Sequence, residues 1–169
     1  PNTRLALLDH VVSPTGLVLP IERLVAELHR LRVETLVDGA HAPGQVPVDL
    51  TALGAAYYTG NCHKWLFAPK GAGFLVVRED MRSNIRPLVI SHGASSPRTD
   101  KERFLLELDW VGTTDPTPYL AVTEALRFGD MVVEGGWPEL RRRNRDLALF
   151  GRRLLAEALE IDLPCPDDM

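Results

Sequence analysis

Cysteine is scarce in this chain: Cys62 and Cys165 are the two in 169 residues, and they form no C-x-x-C pair. That excludes a disulfide framework and a cysteine-rich zinc site, and it makes a reducing, cytoplasmic setting the default expectation. No apolar run reaches the roughly 18 residues of a membrane-spanning helix. No basic block is longer than Arg141-Arg142-Arg143, and the net charge is −4. Neither a nucleic-acid nor a membrane partner is therefore expected. There is no internal repeat and no low-complexity segment. Lysine is sparse too, since only Lys64, Lys70 and Lys101 are lysines among 19 basic residues.

What is present is the composition of a soluble globular protein, 45% hydrophobic and 25% charged. A chain this long buries roughly 70% of the surface its unfolded form exposes, enough for a sizeable core. Leu5-Ala6-Leu7-Leu8 already reads as a buried strand, with no charged region or small-residue cleavage site before it, so a signal peptide is not expected. The last residues, Leu163 to Met169, are turn-like. The chain is expected to be an internal piece of a longer protein, cut at both ends.

Residues 4–12 form an apolar run closed by Ser13-Pro14-Thr15-Gly16, a strand followed by a turn. After Pro20, Leu24, Leu28 and Leu31 recur at helical spacing, and Glu34 to Asp38 is a second strand. Strand, helix and strand in this order predict a βαβ unit and a parallel sheet. Further strands are expected near 55–59 and 74–77, a loop over 91–103, and helices over about 117–133 and from Pro138 to about Glu160. In the last helix, Leu140, Leu147, Leu154 and Leu155 lie towards one side, and the arginines at 141–145 read as a solvated face. The class is α/β.

Three polar loops follow apolar strands: Ser13 to Gly16, Asp38 to Ala42 and Asn61 to Lys64. Ligands of open α/β sheets bind at such strand ends. Asp38 ends a strand too apolar to leave a charge without a partner. A chain that prefers arginine keeps Lys64 where a lysine can lose its proton and attack a carbonyl, which arginine cannot do. An Asp and a Lys at adjacent strand ends suggest pyridoxal phosphate, the Lys forming a Schiff base and the Asp pairing with the pyridinium nitrogen. The same residues also read as a turn-capping Asp beside a surface Lys.

Five blocks in order carry a resemblance over about residues 4–135: Asp9 to Gly16, Leu36-Val37-Asp38-Gly39-Ala40-His41-Ala42-Pro43-Gly44, Tyr58 to Leu66, Pro69-Lys70-Gly71, and Trp110 to Asp115. Together they resemble the class V aminotransferase fold, a fold-type I group of pyridoxal-phosphate enzymes. Within it they are most similar to the isopenicillin N epimerase-like branch, near cysteine desulfurases and other C–S lyases. The resemblance implies a three-layer large domain, a mostly parallel central sheet flanked by helices. Residues 1–135 would be part of that cofactor domain, and 136–169 a linking helix and the start of a small C-terminal domain. It implies a pyridoxal 5'-phosphate enzyme acting at the α-carbon of an amino acid, epimerase-like or desulfurase-like. The full-length protein would be a homodimer, and the piece alone inactive.

Position by position, Lys64 would be the Schiff-base lysine and proton shuttle, and Asp38 the partner of the ring nitrogen. His41 would contact the phenolic oxygen, where desulfurases carry Gln. His63 would contact the phosphate beside Asn61, Ser13 would line the phenolic side, and Gly112 and Thr113 would reach a phosphate across a dimer interface. The bland alternatives are core roles for His41 and His63, a turn for Ser13, and a helix start capped by Thr114 or Asp115. Cys62 reads as a small buried neighbour, Trp65 and Trp110 as core, and Gly71-Ala72-Gly73 as a tight turn. The alternatives for the whole chain are a non-catalytic scaffold fragment and a Rossmann-like nucleotide-binding domain, although Ser13 to Gly16 lacks the glycines of the latter.

Overall fold

The structure, a computed structural model, describes residues 2–169, so only the first residue of the expected 1–135 domain lies outside it. Strand β1 (Leu5–Asp9) leads through helix α1 (Ile21–Arg30) into β2 (Glu34–Gly39), and the two strands pair in parallel. After a short helix α2 (Leu50–Leu53), strand β3 (Tyr57–Asn61) adds in parallel to β2. Strand β4 (Gly73–Val77) closes the sheet in the order β1-β2-β3-β4, but antiparallel to β3. Residues 62–72, which join them, contain no helix, and a parallel return needs a crossover element. The sheet is therefore mixed: β1, β2 and β3 run parallel and β4 runs against them.

Register sorts the side chains by face. Val37 and Tyr58 point to one side, where they meet Ile21 and Val25 of α1 and Leu53 of α2. The expected helix periodicity is present but rotated: Ile21 and Val25 are the buried positions, while Leu31 has left the helix and is exposed. Gly39 admits no side chain, because a Cβ would lie 2.1 Å from the Tyr58 hydroxyl oxygen. The opposite face carries Leu5, Leu7 and Leu75, the second of them 68% exposed.

Beyond the sheet come α3 (Arg103–Leu108), α4 (Thr117–Leu120), α5 (Val122–Met131) and α6 (Gly136–Leu159). The expected helix over 117–133 is thus two helices, and the expected loop over 91–103 contains one turn of 3-10 helix at His92–Ser95. Trp137 fixes α6 to α5. Its ring fills the space beside Gly129, and its indole N–H donates to the Leu126 carbonyl at 3.0 Å. Arg142 and Arg143 pair with Glu139 on an exposed surface, as a solvated face requires. Leu147, Leu154 and Leu155 share the exposed condition, with no described element covering them.

Candidate functional site

The three parallel strands end on one edge, so the loops after Asp9, Gly39 and Asn61 gather there. The loop after β2 is built by its own hydrogen bonds. Asp38 Oδ1 accepts from the Ala40 amide at 2.9 Å, an Asx turn. Ala42 N–H then donates to the Gly39 carbonyl, and the amides of Gln45 and Val46 donate to the Ala42 carbonyl, each at 3.0 Å. The Gln45 side-chain amide donates to the His41 carbonyl at 2.9 Å. These bonds leave His41 projecting from a fixed backbone.

The loop after β3 closes on itself as well. The amides of Cys62 and His63 share the Ala72 carbonyl, and Ala68 N–H reaches back to the Cys62 carbonyl at 3.1 Å. Gly71, at φ +96°, supplies the tight turn expected there. Cys62 is buried, and burial pushes its thiol up, the inert condition expected of it. Phe67 leaves the loop to stack on Trp137 at a ring separation of 5.5 Å, which ties it to α6.

The two loops dock through Gly44 and Trp65. Gly44 has φ +91°, and a Cβ on it would sit 2.3 Å from the Trp65 carbonyl oxygen. The docking brings three side chains into line. Lys64 Nζ lies 3.0 Å from His41 Nε2, and the Trp65 indole N–H donates to His41 Nδ1 at 3.2 Å. His63 Nδ1 lies 2.7 Å from the Ala72 carbonyl, an acceptor only, so Nδ1 is the donor, and Nε2 makes no hydrogen bond among the described residues.

Beneath Asp38 lies a buried polar pair. The His10 amide donates to the Asp38 carbonyl at 2.8 Å, and its ring Nδ1 hydrogen-bonds the Tyr58 hydroxyl at 3.0 Å. Burial pushes Tyr58 up to about 12, with the charges of Asp38 and Glu22 adding to it. Burial also lowers His10, against the opposing charge of Glu22. Asp38 is thus held on its backbone and at one carboxylate oxygen. The second oxygen has no donor among the described residues.

The structure therefore brings Lys64 and His41 into contact and sets Asp38, Asn61 and His63 on the same sheet edge. Asn61 ends β3, and His63 follows two residues later. Ser13 is an exposed turn residue after β1, with no side-chain hydrogen bond among the described residues. Gly112 and Thr113 lie between α3 and α4, with Gly112 at φ +128°, and neither hydrogen-bonds to the Lys64 group among the described residues. The helix start beyond them is held by Asp115, whose carboxylate accepts from the Thr117 amide at 2.9 Å. One expectation is corrected. Trp65 and Trp110 are not core residues, being 45% and 46% exposed, because neither lies against a sheet face. Trp65 instead spends its N–H on His41, and a tryptophan directly after the lysine was the available signal, since indole N–H groups seek an acceptor.

The chain is similar to known proteins. The chain is 44% identical over 165 residues to isopenicillin N epimerase of Amycolatopsis lactamdurans, a match covering 92% of this chain and 41% of that protein. It is 36% identical over 173 residues to putative L-cysteine desulfhydrase 1 of Oryza sativa subsp. japonica, covering 99% of this chain and 34% of that one. Among solved structures, a C-DES mutant with glycine covalently linked to its PLP cofactor superposes with a TM-score of 0.74 at 28% identity. That match covers 90% of this chain and 42% of the other. The chain thus spans well under half the length of these relatives. The Aminotransferase class-V family matches residues 1–158, and with the strand-end loops and these relatives in agreement, the chain belongs to the class V aminotransferase family.

Proposed function

We propose that the chain is the cofactor-binding part of an enzyme that acts at the α-carbon of an amino acid, by epimerisation or by C–S bond cleavage. The family and the PLP-linked structural relative imply pyridoxal 5'-phosphate as the cofactor. The observation that carries the reading is the contact of Lys64 Nζ with His41 Nε2 at the strand edge that also bears Asp38. The donor set suits this cofactor: an amine, a carboxylate with one oxygen unused by the protein, and two imidazoles at the same strand edge. When bound, the cofactor supplies an electron sink that stabilises negative charge at a substrate α-carbon.

The chain's own residues divide the remaining work. Lys64 would hold the cofactor through its amine and would carry a proton to or from the α-carbon. Asp38 would accept a hydrogen bond from the protonated ring nitrogen on its unused oxygen, which keeps that nitrogen charged. His41 would face the phenolic oxygen, with Ser13 on the same side. Asn61 and His63 hold the phosphate. His63 donates from Nδ1 to the Ala72 carbonyl, which fixes the ring at this strand edge. Gly112 and Thr113, remote from the Lys64 cluster, reach the phosphate of a second copy in a full-length homodimer. A reducing, cytoplasmic setting fits the buried Cys62 thiol.

The epimerase-like reaction is favoured by the 44% identity to an isopenicillin N epimerase, and the lyase-like one by the 36% identity to a desulfhydrase. Family membership argues against the Rossmann-like alternative. The full-length protein, given amino acids in D2O, tests the choice. Deuterium at the α-carbon with inverted configuration identifies an epimerase, and sulfide with pyruvate from cysteine identifies a lyase. Neither product, or either one surviving in Lys64→Ala, contradicts the proposal.

A further inference from the structure

We propose that Trp65 is a positioning residue that fixes His41 as its Nε2–H tautomer, so that the imidazole always presents a donor to the Lys64 side of the site. An indole nitrogen carries a hydrogen and no lone pair, so it can only donate. Trp65 Nε1 lies 3.2 Å from His41 Nδ1, and Nδ1 must therefore be the acceptor. A neutral imidazole has one N–H, which is then on Nε2. That nitrogen is 3.0 Å from Lys64 Nζ, and its N–H needs a lone pair to meet. An ammonium has three donors and none to offer. The chain of bonds is consistent in one direction alone: Trp65 N–H to His41 Nδ1, then His41 Nε2–H to a free Lys64 amine. The free amine is the form that attacks a carbonyl. With the opposite tautomer, His41 would face the indole N–H with an N–H of its own, and its Nε2 would accept from a lysine held as the unreactive ammonium.

The surrounding structure supports a device and not an accidental contact. The ring is held from its backbone by the Gln45 side chain on the His41 carbonyl at 2.9 Å. Trp65 is held from its own backbone by the close approach of Gly44, where no side chain fits. The indole, 45% exposed, contributes little to a core, so packing does not account for it. The tautomer itself is independent of the function proposed above, but its use rests on that reading. With the cofactor held by Lys64, the same Nε2–H would be free to donate to its phenolic oxygen.

The test uses the full-length protein, with histidine labelled by 15N and the His41 signals assigned from His41→Gln. In the cofactor-free wild type, two-bond 1H–15N correlations are expected to show His41 protonated on Nε2. In Trp65→Phe, which keeps an aromatic ring and loses the N–H, that exclusive preference is lost. Capture of added pyridoxal phosphate on Lys64, read by borohydride reduction at timed intervals, slows about tenfold, the worth of one hydrogen bond. A wild-type His41 protonated on Nδ1 overturns the proposal without any need for the variant to fold. So does a folded Trp65→Phe with tautomer and capture rate unchanged. If wild-type Lys64 is never labelled while the tautomer still follows Trp65, the function proposed above fails and the tautomer assignment stands.

Discussion

His10 and Tyr58 form the support on which the Asp38 strand end rests. The imidazole is 4% exposed and the phenol 2%, with one hydrogen bond between them. Burial lowers His10 below its ordinary 6.5, so the unfolded chain takes up this proton at a higher pH than the folded one does. The stability His10 confers is complete above pH 6.5 and is lost as pH falls through its lower, folded value. Urea midpoints measured above and below pH 6.5 are expected to fall on the acid side, and the fall should be shallower in His10→Phe. An unchanged acid slope in the variant contradicts this assignment. Tyr58→Phe removes the hydroxyl and leaves a buried ring nitrogen without its partner, which costs about 1–3 kcal/mol in a denaturant titration.

Among the elements, the two docked loops matter most. Gly44→Ala combines a left-handed backbone with a Cβ driven against the Trp65 carbonyl, and it is expected to lower stability by about 1–3 kcal/mol. The same change should slow Lys64 capture, because it separates the loops that bring His41 and Lys64 together. Gly54→Ala is the control. It has positive φ too, at +67°, but open space where its Cβ would be, and it lies away from the site. Equal effects of the two on capture would contradict the docking account. Periodicity made β1, α1, β2 and α6 legible in the sequence, since each has an apolar pattern of its own. The helix α2 was not, because four residues carry too little periodicity to read and it is held by its Asp49 cap, which accepts from the amides of Thr51 and Ala52. The direction of β4 was not legible either, for nothing local in Phe74 to Val77 encodes it. Asp38 and Lys64 could be singled out as candidates from their place after apolar strands, whereas His41 entered only through the family resemblance. The role of Trp65 depends on a contact across 24 positions, which no local pattern contains.

For the whole molecule, the uneven sheet has a physical consequence. One face is packed by α1 and α2, whereas the face of Leu5, Leu7 and Leu75 meets solvent. Exposed apolar side chains of this kind bind hydrophobic probes. The 169-residue chain on its own is expected to bind an anilinonaphthalene dye, and Leu7→Lys should reduce that binding while leaving the melting temperature nearly unchanged, since Leu7 is already exposed. A dye signal indifferent to Leu7→Lys would place the accessible apolar surface elsewhere. Because the relatives are more than twice as long as the matched region, the full-length protein is the proper object for every test of chemistry.

The most direct test of the central claim is to add pyridoxal phosphate to the full-length protein, reduce with borohydride and map the labelled peptide. The account predicts the pyridoxyl mass on the peptide containing Lys64, and its absence from Lys64→Ala and Lys64→Arg, although arginine keeps the charge. A label distributed over Lys70 or Lys101, or persisting at full stoichiometry in Lys64→Ala, would contradict the assignment of Lys64 and with it the proposed function.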